Sequence, residues 1–186
     1  MLLGKNNSNI ALLICDIQSK TIKNLTNSDN IIKNINKLLM MKRYIPSIVF
    51  SAISEFIPEK LGKTHTSIDI NNIDMIYRKD TYSMVNDKLY YSLKNKNIED
   101  IILTGMETQW CINRTTQDLS ELNYRIHIPI DCVGNSKNNY LNKYNLEHLK
   151  NNGALLTTSD AFICSNLIRN TDIPSKIYLD YLKNNK

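Results

Sequence analysis

Asp16, Lys79 and Cys111 each stand where an apolar run gives way to a turn. Asp16 closes Ile10-Ala11-Leu12-Leu13-Ile14-Cys15-Asp16, Lys79 follows the run from Ile73 to Tyr77, and Cys111 follows Ile101-Ile102-Leu103-Thr104 and Gly105. In an open parallel sheet, ligands bind outside the carboxyl ends of the strands, so all three are placed for chemistry. A cysteine in the first turn of a helix sits among unpaired N–H groups and the positive end of the helix dipole, which favour thiolate over thiol. A nearby Lys79 ammonium would add to this, and the same amides could hold the oxyanion of a tetrahedral intermediate, the arrangement acyl transfer requires. Position alone leaves simpler roles open. Cys111 can be a small buried hydrophobe, Asp16 a residue capping the turn after a strand, and Lys79 a surface residue at a strand end.

Other chemistries find less support. His65, His127 and His148 have no metal-ligand spacing, and no D-x-H or H-x-x-H cluster is present, so no metal is expected. Neither GxGxxG nor GxxxxGK[ST] occurs, so no nucleotide cofactor is expected. Cys15, Cys111, Cys132 and Cys164 lack CxxC spacing and fit a reducing, cytoplasmic setting better than a disulfide framework. The net charge is +5, but Lys and Arg are scattered, which reads as a solvated basic surface and not a nucleic-acid track. The start, Met1 to Asn7, runs directly into a strand pattern and leaves no room for a signal peptide. No apolar stretch approaches the roughly 20 residues that cross a bilayer, so no membrane partner is expected.

The elements that must position the three residues follow from periodicity. Short apolar runs alternate with helical spacing, the pattern of βαβ units and a parallel sheet in one domain spanning 1–186. Strands are expected at Ile10–Asp16, Ile45–Ala52, Ile73–Tyr77, Ile101–Thr104, Arg125–Asp131 and Ala154–Thr157. Helices are expected from a Ser28-Asp29 cap to Lys42-Arg43, at Leu89–Lys96, at Thr108–Leu122, at Tyr140–Asn151, and after a Ser159-Asp160 cap. A long polar loop from Ser54 to Asn72 separates the second and third strands and is a candidate for function.

Three segments together resemble the isochorismatase-like cysteine hydrolases. They are Ala11-Leu12-Leu13-Ile14-Cys15-Asp16-Ile17-Gln18, Lys79-Asp80-Thr81-Tyr82-Ser83-Met84, and Gly105-Met106-Glu107-Thr108-Gln109-Trp110-Cys111. The likeness continues through Asp118-Leu119, Asn123 to His127 and Asp131-Cys132. The loop from Ser54 to Gly62 and the tail from Gly153 to Ser159 resemble the isochorismatase domain-containing branch.

The resemblance implies a three-layer αβα, doubly wound, six-stranded parallel sheet of Rossmann-like type. It also implies a Cys-Asp-Lys catalytic triad. Asp16 would take the Cys111 proton, Lys79 would steady the charges, and Cys111 would form a covalent acyl-enzyme that water activated by Asp16 then hydrolyses. Amides around Trp110 and Cys111 would hold the oxyanion, and the Met106-Glu107 peptide would be cis. Gln18, Tyr82, Met106, Glu107, Gln109 and Trp110 are the expected substrate-binding residues. The partner would be a small molecule, and the chain a homo-oligomer, dimer or tetramer, with Trp110 and the C-terminal helix around Ile177, Leu179 and Leu182 as candidate interface.

Two departures narrow the reaction. Nicotinamidases of the superfamily hold zinc through D-x-H…H after the second strand, where this chain has Ser51-Ala52-Ile53-Ser54. Isochorismatases proper typically lack the cysteine, so Cys111 points to C–N or related acyl chemistry. A non-catalytic binding protein of the same fold, and a redox-responsive thiol protein pairing Cys111 with Cys15, are the alternatives.

Overall fold

The computed structural model describes residues 8–25, 27–136 and 139–185, residue 139 by its backbone alone. The expectation drawn from Met1 to Asn7 lies outside the described residues. Seven parallel strands, β1 (Asn9–Cys15), β2 (Ile48–Phe56), β3 (Met75–Lys79), β4 (Ile98–Met106), β5 (Arg125–Pro129), β6 (Val133–Gly134) and β7 (Ala154–Thr157), form one sheet. Its order is β3-β2-β1-β4-β5-β7, and β6 pairs with β4 alone. Among the described residues, seven α-helices surround it: α1 (Ser28–Lys42), α2 (Pro58–Leu61), α3 (Asp87–Asn95), α4 (Cys111–Glu121), α5 (Asn139–Asn151), α6 (Ser159–Ser165) and α7 (Ile173–Asn184).

The two faces of β1 build two cores. Ile10, Leu12 and Ile14 pack with Ile31, Ile35 and Leu38 of α1, Phe162 and Ile163 of α6, and Tyr178 of α7. Ala11, Leu13 and Cys15, one residue out of step, pack on the opposite face with Leu89 and Leu93 of α3 and Ile112 and Leu119 of α4. Side chains alternate across a strand, so a run apolar at every position must be covered on both sides. Each Leu or Ile so buried contributes about 1.5 to 3 kcal/mol. The expected three-layer architecture is therefore present.

The strand count is one higher than the six expected. β6 is two residues long and pairs only Val133 with Gly105 and Gly134 with Met106, too short to leave a period in the sequence. The second strand begins at Ile48 rather than Ile45, beyond the Pro46 ring, and runs on to Phe56. The segment expected to be a loop from Ser54 thus starts as strand, continues into α2, and is tied back by a bridge between Gln18 and Thr64. Two caps also differ. Ser28 already lies inside α1 behind Asn27, and α6 is capped by Thr158, whose hydroxyl accepts from the Ala161 N–H at 3.1 Å.

Strand order places the site. From β1 the chain winds outward through β2 to β3, then crosses back to the other side of β1 as β4. The carboxyl ends of β1 and β4 therefore flank a topological switch point, where connections diverge and leave a crevice.

Candidate active site

Asp16 follows β1 directly and has a left-handed backbone, φ 53°, which aspartate tolerates better than most residues. The turn is fixed by Asp16 N–H donating to Ser54 O at 3.2 Å, and by Gln18 N–H and the Thr21 hydroxyl donating to Asp16 O at 2.9 and 3.1 Å. Its carboxylate is buried beneath the crevice. The Ser54 hydroxyl donates to Oδ1 at 2.7 Å, and Lys79 Nζ meets Oδ2 at 2.8 Å.

Lys79 is the last residue of β3, and its side chain is 2% exposed. Its remaining donors go to the Thr81 and Tyr82 carbonyls, each at 3.0 Å, and the ammonium lies 4.7 Å from the Phe56 ring centroid. Burial alone would pull this lysine down. The anionic forms of Cys15, Asp16 and Cys111 around it outweigh that and hold it above the ordinary lysine value. The ammonium is thus a fixed positive charge.

Cys111 opens α4, with Trp110 as the residue before it. The connection from β4 needs Gly105, whose φ is +112° and where a Cβ would stand 2.1 Å from Cys15 O. The Met106-Glu107 peptide that follows is cis, as the resemblance implies. The Glu107 carbonyl accepts from both Trp110 N–H and Ile112 N–H at 3.1 Å, so the Trp110 amide expected to serve an oxyanion is already engaged. The Cys111 N–H has no backbone acceptor among the described residues.

The sulfurs of Cys15 and Cys111 and a carboxylate oxygen of Asp16 all lie within 4.8 Å of one another, the only such grouping among the described residues. The Cys15 thiol donates to Asp16 Oδ2 at 3.4 Å. Burial first, then the Cys111 thiol and the Asp16 carboxylate, push the Cys15 thiol well above its ordinary value. Asp16 and Cys111 face a cavity of about 310 Å³ that Phe56, Tyr82, Glu107 and Trp110 also line. Cys111 is 5% exposed, whereas the Tyr82 and Trp110 rings stand out at the rim.

The structure brings Asp16, Lys79 and Cys111 together around one crevice. Of the expected substrate-binding residues, Tyr82, Met106, Glu107 and Trp110 line the cavity, and Gln18 and Gln109 do not. Gln18 is fully buried and ties loops together: its Oε1 accepts from Phe56 N–H at 2.9 Å, and its Nε2 donates to the Phe56 and Gly62 carbonyls. Gln109 Nε2 donates to Glu107 Oε2 at 3.0 Å, the oxygen that also accepts from Ser136 N–H at 2.9 Å. Sequence reasoning missed Ser54 and Phe56. Both sit in the stretch read as a polar loop, and a second strand extended by four residues would have placed them at the carboxyl end of the sheet.

No helix among the described residues is long and apolar enough to cross a membrane. The chain is similar to known proteins of one family. The family model for the isochorismatase domain matches residues 10–161. Isochorismatase family protein 1B of Dictyostelium discoideum is 33% identical over 160 residues, covering 82% of this chain and 76% of that protein. Isochorismatase domain-containing protein 2 of Xenopus laevis is 29% identical over 163 residues, covering 87% and 76%. Among solved structures, that of MAR1 ribonuclease from Caenorhabditis elegans superposes with a TM-score of 0.83 at 27% identity, covering 94% of this chain and 90% of the other. The domain match spans both strands that flank the crevice and all three residues that meet in it, and on that ground the chain belongs to the isochorismatase-like hydrolase family.

Proposed function

We propose that this chain is a metal-independent cysteine hydrolase of a small amide or related carbonyl compound, with Cys111 as nucleophile, Asp16 as general base and Lys79 as the charge that steadies both. The observation that carries the reading is that Cys111 and Asp16 line one cavity with their sulfur and carboxylate within 4.8 Å, and that the buried Lys79 ammonium pairs with Asp16 from behind. Asp16 takes the thiol proton, and the thiolate adds to the substrate carbonyl. The resulting oxyanion is held by the Cys111 N–H at the start of α4. Collapse of the intermediate returns the proton to the leaving amine and leaves a thioester. Water, deprotonated by Asp16, adds to the thioester and releases the acid and the free thiol. The net reaction consumes one water per amide bond cleaved.

The cavity volume is at the small-ligand end of the usual range, which supports a small molecule over a polymer. The four free thiols support a cytoplasmic setting. A homo-oligomer, dimer or tetramer, belongs to the same reading, with half-exposed Trp110, Leu179 and Leu182 as its candidate interface, whereas Ile177, expected with them, packs against the core.

Limiting iodoacetamide followed by peptide mapping tests the nucleophile. Cys111 is expected to be alkylated ahead of the other three thiols, and Asp16→Asn to slow the labelling. A panel of carbamoyl compounds and small amides then tests turnover, and Cys111→Ala is expected to lower it by at least about a thousandfold. Because the Caenorhabditis elegans neighbour is described as a ribonuclease, a short RNA belongs in the panel. RNA cleavage that survives Cys111→Ala would replace the acyl-transfer reading. A reactive Cys111 with no turnover of anything in the panel would favour a binding protein.

A further inference from the structure

We propose that Cys15 is the resolving thiol of Cys111, so that the pocket carries a second chemistry in which hydroperoxides convert the two cysteines reversibly to a Cys15–Cys111 disulfide. This rests on the reading of Cys111 as the reactive thiol. Cys15 and Cys111 come from distant parts of the chain, but both point to the α3/α4 face of the sheet, where their sulfurs lie within 4.8 Å. Neither other cysteine is placed to compete. Cys132 lies in the core on the opposite face, and Cys164 is exposed on α6.

The order of events follows from access. Cys15 is 0% exposed and does not line the cavity, whereas Cys111 does. A hydroperoxide therefore meets Cys111 first. The Cys111 thiolate attacks the distal peroxide oxygen and the O–O bond breaks. The products are Cys111 sulfenic acid and an alcohol, or water when the oxidant is hydrogen peroxide. Cys15 then attacks the Cys111 sulfur, forming the S–S bond and expelling hydroxide. The proton lost by Cys15 passes to Asp16, to which the thiol already donates, and from there to the hydroxide, so that water leaves. Overall, two thiols and one peroxide give one disulfide, one alcohol and one water. A small dithiol such as dithiothreitol reverses the oxidation and is itself oxidised.

The same three groups could be read as ligands for a soft divalent cation. The Lys79 ammonium, 2.8 Å from Asp16 Oδ2 and with all its donors satisfied, opposes a second cation there, which favours thiol chemistry.

The full chain, reduced, is titrated with hydrogen peroxide, quenched with N-ethylmaleimide under unfolding conditions, and mapped by mass spectrometry. Expected is joint loss of the maleimide adducts at Cys15 and Cys111, a species lighter by two hydrogens, a peptide joining the two residues, and full recovery with dithiothreitol. In Cys15→Ser, Cys111 is expected to gain two oxygens instead, and recovery with dithiothreitol is lost. The proposal is overturned if Cys15 stays free while Cys111 is oxidised, if Cys111 resists peroxide, or if Cys111 joins Cys132 or Cys164. Because the wild-type map decides the matter, it does not depend on the variant folding. If Cys111 is not the thiol iodoacetamide labels first, the hydrolase reading fails. If it is labelled first but forms no disulfide with Cys15, only this inference fails.

Discussion

Among the described residues the sheet holds a buried carboxylate with a cationic partner at each of its two ends, and the one at the carboxyl end lines a cavity. At the amino end, Asp100 of β4 takes Arg125 Nε on Oδ1 at 2.8 Å, Arg125 Nη2 on Oδ2 at 2.6 Å, and His127 Nε2 on Oδ1 at 2.8 Å. At the carboxyl end, Asp16 takes Ser54, Lys79 and Cys15. Arg125 is 53% exposed, so the amino-end cluster is half solvated. Lys79 is sealed in, and beside Asp16 lie a cavity and the Cys111 sulfur. A buried ion pair is therefore a poor marker of function by itself. What separates the ends is the switch-point crevice and a sulfur beside the carboxylate.

The difference can be tested at both ends. Lys79→Ala strands Asp16 as an unpaired buried charge and is expected to cost about 3 to 5 kcal/mol in urea unfolding. A cost below about 1 kcal/mol would mean that water reaches Asp16 and that the two ends are alike. Gly105→Ala is expected to cost about 3 kcal/mol, since its Cβ would meet Cys15 backbone and its φ disfavours any side chain. An unchanged midpoint would show that the β1–β4 crevice tolerates rearrangement. Asp100→Asn, with Arg125 free to turn to solvent, should cost only about 1 to 2 kcal/mol.

The smallest effects concern pH, and they have opposite signs. Burial would raise Asp100, but the hydrogen bonds from His127 and Arg125 outweigh it and hold the carboxyl well below the usual carboxylate range. Its contribution to stability is complete above its unfolded value, roughly 3.9, and is lost as pH falls toward the depressed native value. Lys79 is held above the ordinary lysine value, so its contribution is complete below roughly 10.4 and is lost as pH rises through the native value. Urea midpoints across pH should show Asp100→Asn flattening the acid limb and Lys79→Met the alkaline limb. An alkaline limb unchanged in Lys79→Met, or an acid limb unchanged in Asp100→Asn, would contradict this assignment.

Much of this was legible in the sequence for a physical reason. β1 and the later part of β4 are buried on both faces, and their apolar runs announced both the strands and the turns at which Asp16 and Cys111 stand. Lys79 was legible as the end of β3. What stayed hidden is held by few contacts or by distant ones. β6 survives on two pairings, and the end of β2, Ser54-Glu55-Phe56, is polar enough to read as loop although it is hydrogen-bonded to β3. Cys15 could be named as a partner for Cys111 from its place beside Asp16, but the sheet face it shares with a helix that begins far along the chain could not. No local pattern encodes that.

Gln18 carries a consequence of its own. Its side-chain amide pairs with both the N–H and the carbonyl of Phe56, as a neighbouring strand would, and so extends the sheet by one rung beyond its last residue. Immobilising backbone upon ligand entry costs about 1 to 2 kcal/mol per residue. Under the proposed function, the Phe56 backbone is tied in place before anything arrives, and selection by size would fall to the exposed Tyr82 and Trp110 at the rim.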